Sequence, residues 1–375
     1  MRRDTKGAAP LRAPAVGIIA PAAVRYATAS EELRQALLPE LVAGRARWIS
    51  MDGLDIKHTQ RHGRLLRTAA SYRPGLSSVL GVPHTAILDW SSTGSTTVAA
   101  LAQFAVLVPW LIDQGAVVVC VEPSNRDVAR CLEQGALEHV LNFRWVDNRP
   151  TLPISRGDES SMSLLGATRI STLSQRPAGA VDLLASPLVL DLRHSADTQR
   201  AHKEQAGAAS ALLGQSGVSL GLRDAVSSTC SALFLEVVAN ALTHSAGNWA
   251  SAAFGVLNEP EPRLEFAVAD DGIGIGAAMS RRFGLWGVHR IPERAWLAAL
   301  FTDADVDGRR GILGRGATLL MREIVSLAPG AEINIRSGGA SLHLGENLLR
   351  PGIAASASHG LGTVITCSVP LARRA

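Results

Sequence analysis

Three polar residues recur at a helical spacing within an apolar stretch of the sequence. In the run LFLEVVANALTH, Glu236, Asn240 and His244 stand four residues apart, which places them along one stripe of a helix. Carboxylate and amide oxygens are ligands that Mg²⁺ prefers, usually together with phosphate oxygens. The stripe therefore predicts a site for a metal and a nucleotide. A solvated helix face explains the same pattern equally well.

A second motif places a carboxylate at the end of an alternating strand. In EFAVADDGIGIG, Asp270 ends the strand, and Gly272, Gly274 and Gly276 follow at alternate positions. Glycines let the backbone turn sharply and approach a ligand closely. A planar base with an exocyclic amine can donate a hydrogen bond to a buried carboxylate at this position. The alternative is a hairpin with an Asp271-Gly272 turn.

A third motif places glycines at the start of a helix. Gly314 and Gly316 precede the helix predicted in LLMREIVSLA, and Arg315 between them adds a positive charge. Backbone N–H groups at a helix start bind phosphate. The segment lacks the Gly-Lys-Ser/Thr of a P-loop, and no strand directly precedes it, as the dinucleotide fingerprint requires. Those two nucleotide folds are therefore disfavoured.

Strand and helix patterns alternate upstream of these motifs. TAILDW predicts a strand, a helix follows through Trp110, and AVVVCV predicts a second strand that is apolar on both faces. Strands of that kind occur in covered parallel sheets. Residues 123–125 then predict a turn and an N-cap for the helix RDVARCLEQGAL. The expected fold class is α/β, or α+β for the whole chain.

Shifts in composition divide the chain into four parts. Residues 1–29 are rich in Ala and Pro and predict a mobile arm, and residues 30–150 contain the alternating strands and helices. Residues 151–200 lack a sustained period and predict a linker, although SPLVLDLRHS near its end has the pattern of an opening strand. Residues 201–375 carry the three motifs and predict a second domain.

Length and composition limit the classes of protein to which the chain can belong. It has 375 residues, 47% hydrophobic and 19% charged, which predicts two domains and excludes disordered, collagen-like and coiled-coil proteins. Aromatic residues make up only 4%, and the net charge of +4 is scattered, so nucleic acid is disfavoured as a partner. No C-x-x-C pair occurs, and no apolar run reaches about 20 unbroken residues. We expect a cytoplasmic protein with no membrane partner.

The first predicted domain resembles a known regulatory domain. The order LDWSS, helix, GAVVVCVEPS and short helix is similar to the STAS domain of bacterial anti-sigma-factor antagonists over about 60 residues. The resemblance implies a phosphorylated Ser or Thr at the start of the first helix, for which the candidates are Ser92, Ser95, Thr96 and Thr97. Helix capping by Ser95 or Thr96 is the competing interpretation.

The second domain resembles the GHKL ATPases, the superfamily of gyrase, heat-shock chaperone, histidine kinase and mismatch-repair ATP sites. The motifs Glu-x-x-x-Asn, Asp-x-Gly-x-Gly and Gly-x-Gly occur in the family's order, followed by a Gly-Thr pair that enters the strand TVITCSVP. The resemblance covers roughly Gln205 to Pro370. It implies an α/β sandwich that binds ATP and Mg²⁺.

The same resemblance implies roles for individual residues. Asn240 corresponds to the Mg²⁺ ligand, and Glu236 to the carboxylate that accepts a proton from the attacking oxygen. Asp270 corresponds to the adenine anchor. The remaining positions shape the adenine pocket (Gly272, Gly274), belong to the phosphate-binding lid (Gly314, Gly316) or support the adenine contact (Thr363).

One position departs from the family pattern, and one segment is expected to change order. Thr318 stands where the second glycine box usually has Gly, and a β-branched residue restricts the backbone there. Residues 279–310 are predicted to form the lid over the nucleotide.

Three histidines are poor candidates for other kinds of site. His194 lacks the context of a histidine-kinase phosphoacceptor, and His58 and His62 lack a third metal ligand.

Together the two resemblances imply a bacterial regulatory protein. Its GHKL site is expected to control or phosphorylate, on Ser or Thr, the STAS-like module or a partner protein. The enzyme would then be an ATPase or a serine/threonine kinase with Glu236 as base. The alternative is a nucleotide-sensing scaffold that binds ATP without turnover, which Thr318 favours and Glu236 disfavours. A homodimer is compatible with the sequence, which does not fix the oligomeric state.

Overall fold

A computed structural model gives the architecture. It describes residues 46–51, 84–90, 93–94, 96–113, 116–121, 123, 125–134, 145–146, 180–193, 196–258, 261–282, 292–301, 315–345, 352–355 and 362–371. These ranges form two sheets with helices between and beside them, which confirms the α/β (α+β) class.

The first sheet has four parallel strands in the order in which they occur in the chain. The predicted strand–helix–strand unit is confirmed, and a second helix follows it. Asn125 caps that helix, since its Oδ1 accepts hydrogen bonds from the N–H groups of Asp127 at 2.8 Å and Val128 at 3.4 Å. The elements are β1 (Ala46–Ser50), β2 (His84–Asp89), α1 (Val98–Asp113), β3 (Ala116–Val121), α2 (Arg126–Gln134) and β4 (Trp145–Val146).

The start of α1 corrects one expectation from the sequence. Thr97, not Thr96, caps the helix, because the N–H of Ala100 donates to Thr97 Oγ1 at 3.2 Å. The side chains of Thr96 and Thr97 are both buried, so neither is exposed as a phosphate acceptor in this conformation. Ser92 and Ser95 lie outside the described residues.

The second sheet has eight strands and is antiparallel at every described pairing. The strands are β5 (Ala180–Leu183), β6 (Leu188–Asp191), β7 (Trp249–Asn258), β8 (Arg263–Asp270), β9 (Glu332–Ser337), β10 (Ala340–Leu344), β11 (Gly352–Ala355) and β12 (Thr363–Pro370). Their order in the sheet is β11-β10-β9-β12-β8-β7-β5, and β6 also pairs with β7. The described helices of this part are α3 (Ala196–Ser219), α4 (Asp224–His244), α5 (Ile275–Arg282), α6 (Glu293–Phe301) and α7 (Arg315–Leu327).

The segment expected as a linker contributes to this sheet. Within residues 151–200, both β5 and β6 pair with β7, and α3 begins at Ala196. Each strand has only four residues, too few for a clear alternating pattern. Residues 1–29 lie outside the described part of the chain.

Helix α1 lies between the two sheets. Its sequence is apolar on all sides, and a helix of that kind is stable only when it is covered all round. It packs against β3 and also against β7 and β8, where Ala253, Ala267 and Ala269 present small side chains to it within one core. The two parts of the chain therefore share a core along α1.

Polar contacts fix α1 on the second sheet. Ser251 Oγ donates to the carbonyl of Ala102 at 2.5 Å, and Arg336 Nη2 donates to Gln103 Oε1 at 2.7 Å. Burial lowers the pKa of Arg336 to about 9, so the guanidinium keeps its charge at neutral pH and needs acceptors. Gln103 supplies one of them.

The opposite face of the second sheet carries the helices that position the predicted magnesium stripe. α3, α4 and α7 share a second core with this face. α3 and α4 approach closely at small residues: Ser210 and Ser231 exchange hydrogen bonds, and a Cβ on Gly217 would overlap Ser227. These contacts fix the position of α4 against α3.

Helix α4 is also long and apolar enough to cross a membrane, by length and composition alone, and it is the one such helix in the described ranges. Half of that apolar window is buried inside the protein, as expected for a core helix. The four cysteines are free thiols in buried positions.

Candidate nucleotide-binding site

Asp270 lies at the end of β8 in the interior of the protein, with 8% of its surface exposed. Strands β7 and β12 flank β8 on either side, so the strand end is enclosed. Two backbone groups donate to one carboxylate oxygen, Oδ1: the N–H of Gly272 at 2.8 Å and the N–H of Thr363 at 3.2 Å. No residue in the described ranges donates to Oδ2. One oxygen therefore fixes the side chain, and the other remains available to a ligand.

The environment of Asp270 changes its acidity. Burial raises the pKa of this carboxyl to about 7, against the opposing effect of the two backbone donors, and the neighbouring carboxylate of Asp271 raises it further. The group therefore changes charge near neutral pH. Buried carboxylates with shifted pKa values are concentrated at functional sites.

The glycine turn after Asp270 packs directly on the end of α4. A Cβ on Gly272 would overlap the carbonyl oxygen of Ser245, and the N–H of Ile273 donates to that carbonyl at 2.8 Å. Asn240 and Glu236 lie earlier in the same helix, roughly 7.5 and 13.5 Å along its axis from Ser245. The structure thus places the turn after Asp270 at the C-terminal end of the helix that bears the polar stripe.

Glu236 meets the start of α7. Its side chain is half-buried, and a Cβ on Gly316 would lie 2.5 Å from its Oε1. A side chain at this position would displace the Glu236 carboxylate. Neither Glu236 nor Asn240 makes a side-chain hydrogen bond to the part of the chain that the structure describes. Both are available to water or ligand, whereas His244 at the end of α4 is exposed.

Helix α7 begins earlier than the sequence predicts. It starts at Arg315 rather than Leu319, so Gly316 belongs to its first turn and Thr318 is a buried helical residue. A helical backbone accommodates a β-branched side chain, so Thr318 does not stiffen a loop at this point. Gly314 and the side chain of Arg315 lie outside the described residues.

Gly362 and Thr363 close the site from β12. Gly362 has φ +57°, and a Cβ there would overlap the carbonyl oxygen of Asp270. Thr363 follows it, buried, and its N–H is the second donor to Asp270. Only glycine allows this approach, which explains how the Gly-Thr pair supports the carboxylate.

Two further residues hold the glycine turn, and the sequence did not single them out. Ser337, at the end of β9, accepts a hydrogen bond from the N–H of Ile275 at 2.6 Å and donates to Glu293 Oε1 at 2.5 Å. The N–H of Gly276 also donates to Glu293 Oε1, at 2.8 Å. Gly274 precedes them with φ +82°. The only sequence signal for Glu293 is its place just before the apolar run AWLAALF, because the start of a helix favours acidic side chains.

The described part of the expected lid is helical. Residues 279–282 complete α5, and α6 buries Trp296, Leu297 and Phe301. Within the described ranges no group of three or more His, Cys, Asp and Glu side chains is arranged to hold a metal. The amide oxygen of Asn240 suits a Mg²⁺ ion that keeps water and phosphate oxygens as its other ligands.

Comparison with known proteins does not assign the chain to a family. No known protein family matches it, and no curated protein matches it either.

Proposed function

We propose that this protein binds ATP with Mg²⁺ and uses the nucleotide to control, or to phosphorylate on Ser or Thr, a protein partner or its own STAS-like module. The observation that carries the proposal is Asp270, a buried carboxylate with one oxygen fixed by backbone donors. The protein would act in the cytoplasm as a GHKL-type enzyme.

The state of Asp270 favours adenine over guanine. Guanine presents two neighbouring N–H donors and pairs best with both oxygens of a carboxylate. Adenine offers its exocyclic amine as a single donor, which one oxygen can accept. Because Oδ1 already accepts from Gly272 and Thr363, the remaining oxygen fits the adenine amine.

The phosphates would then extend along α4 toward the start of α7. Asn240 supplies an amide oxygen for Mg²⁺, and the first turn of α7 offers backbone N–H groups where its dipole is positive. Gly272 and Gly274 shape the base end of the pocket, and Gly314, Arg315 and Gly316 belong to the phosphate end. Thr363 supports the base contact.

Glu236 would act as the base in the chemical step. In an in-line transfer the attacking hydroxyl or water oxygen bonds to the γ-phosphorus while the bond to the bridging oxygen of ADP breaks. Glu236 accepts the proton of the attacking group. Because Thr96 and Thr97 are buried, a partner protein is favoured over these two internal threonines as the acceptor.

Contacts between the site and α1 supply a route for control. Asp271 Oδ1 accepts hydrogen bonds from the N–H groups of Asn248 and Trp249, each at 2.8 Å. The indole N–H of Trp249 donates to Asp113, the last residue of α1, at 2.6 Å. A change in the turn that follows Asp270 would thereby be transmitted to α1.

Transfer of radiolabelled phosphate tests the enzyme function. We expect wild-type protein incubated with γ-labelled ATP and Mg²⁺ to label Ser or Thr on itself or an added partner, or to release phosphate. Glu236→Gln should lower that rate by at least about a hundredfold, the usual contribution of a general base, while ATP affinity stays within about threefold.

The scaffold alternative predicts a different outcome. In that case wild type and Glu236→Gln bind ATP equally and neither shows turnover. Glu323→Gln, on the exposed side of α7, is the matched control and should match wild type in both assays.

A further inference from the structure

The hydrogen bonds of Glu293 and Ser337 converge on the turn that carries the base contact. Ser337 is fully buried, and it lies opposite Thr363 in the register of β9 and β12. Thr363 in turn donates to Asp270. A continuous series of contacts therefore runs from Glu293 through Ser337 and Thr363 to the carboxylate.

The N-terminus of α5 is capped by side chains from other elements, and Glu293 is one of them. The residues before α5 are Gly272, Ile273 and Gly274, none of which has a side chain that can accept a hydrogen bond. The first amides of α5 instead donate to Ser337 and Glu293, which come from β9 and α6. Capping bonds of this kind are each worth about 1 kcal/mol.

A side chain added at the turn would displace Glu293 or crowd Ser337. A Cβ on Gly276 would overlap Glu293 Oε2, and a Cβ on Gly274 would lie 3.0 Å from Ser337 Oγ. The backbone therefore lies against both side chains. Movement of either side chain would release the turn.

We propose that Glu293 and Ser337 are positioning residues for the nucleotide base, setting the affinity for the adenine end of the ligand by holding the turn after Asp270. This inference rests on the proposed ATP site. The two side chains act through the turn and do not themselves contact the nucleotide.

Titration of the full-length protein with adenosine and with ADP tests the proposal. Glu293→Ala and Ser337→Ala should each weaken both ligands by about tenfold, because a displaced turn weakens the contact to the base by about the worth of one hydrogen bond. The factor should be the same for adenosine and ADP, because the defect is at the base end of the site. Glu293→Gln should keep most of the affinity, since its amide oxygen accepts the same two hydrogen bonds.

Two controls separate positioning from general damage to the fold. Gly316→Ala, at the phosphate end, should weaken ADP and leave adenosine unchanged. Glu323→Ala, an exposed helical carboxylate without a partner in the described ranges, should change neither. The double variant Glu293→Ala/Ser337→Ala should lose little more than the worse single variant, because both residues hold one turn.

The outcomes distinguish this inference from the function on which it rests. Wild-type affinity for adenosine in both alanine variants would overturn the positioning role and leave the ATP site standing. Equal losses in Glu293→Gln and Glu293→Ala would also overturn it. Failure of wild-type protein to bind either ligand would overturn both proposals.

Discussion

Replacing Asp270 with Asn should make the protein more stable at pH 8, by roughly 2–4 kcal/mol, while weakening nucleotide binding by at least about a hundredfold. Burial raises the pKa of Asp270 from 3.8 to about 7 in the folded protein. A shift of about three pKa units corresponds to on the order of 4 kcal/mol. Asn has no charge to desolvate, and its Oδ1 can still accept from Gly272 and Thr363.

The pH dependence of this effect has a definite sign. A carboxyl whose folded pKa is raised stabilises the fold fully below its unfolded pKa, near 4, and that contribution is lost as the pH rises through about 7. Wild type and Asp270→Asn should therefore have similar stability near pH 4 and diverge up to about pH 8. Denaturant unfolding of both proteins at several pH values measures the difference.

An exposed carboxylate provides the control for this experiment. Asp224→Asn, in the first turn of α4, should cost no more than about 0.5 kcal/mol. A constant difference between Asp270→Asn and wild type at every pH would contradict the assignment of a buried, titrating carboxylate. In natural proteins, residues that form a binding site often lower the stability of the fold.

Gly362→Ala should cost more than about 4 kcal/mol and eliminate nucleotide binding. Its φ of +57° alone makes Ala unfavourable by about 1–2 kcal/mol. In addition, the new Cβ would overlap the backbone carbonyl of Asp270, and a backbone atom cannot move aside as a flexible side chain can. Strands β8 and β12 would separate at this end, and the bond from Thr363 to Asp270 would break.

Gly221→Ala is the matched control, because it isolates the cost of the backbone conformation. Gly221 has φ +93°, and a Cβ there would meet nothing within 4 Å. It should cost only about 1–2 kcal/mol and leave ADP affinity unchanged. Unfolding by denaturant and ADP titration below the melting temperature give the comparison. Equal costs for the two variants, with binding intact, would refute the account of the site.

The parts of the site that the sequence predicts are those with a local pattern. An alternating strand ending in Asp270, followed by glycines, predicts both the position of the carboxylate and the sharp turn. The spacing of Glu236 and Asn240 predicts a shared helical stripe. Each of these signals lies within a dozen residues and needs no knowledge of the tertiary fold.

The remaining features depend on contacts between distant segments. Glu293 and Ser337 meet across 44 residues, and neither stands in a recognisable motif. The early start of α7 at Arg315 is not visible in the sequence because glycine usually lowers helix propensity. Gly316 nevertheless lies in the first turn of α7, where its lack of a side chain leaves room for the Glu236 carboxylate.

No local sequence pattern predicts that α1 lies between two sheets. Its sequence shows an apolar stretch but does not reveal which surface covers the second side. Tertiary contacts with the second sheet decide this: Ser251 donates to the carbonyl of Ala102, and Arg336 donates to Gln103. The pairing of β5 and β6 with β7 is of the same kind, since strands of four residues take their register from neighbours.

The most direct test of the central claim is a calorimetric titration of ATP into the full-length protein between pH 6 and 8, with and without Mg²⁺. We predict that affinity rises with pH and levels off above about pH 7, as Asp270 loses its proton and accepts the adenine amine. Mg²⁺ should strengthen binding in wild type but not in Asn240→Ala, and Asp270→Asn should bind at least about a hundredfold more weakly. Equal ATP affinity in wild type and Asp270→Asn would contradict the claim that this carboxylate holds a purine base.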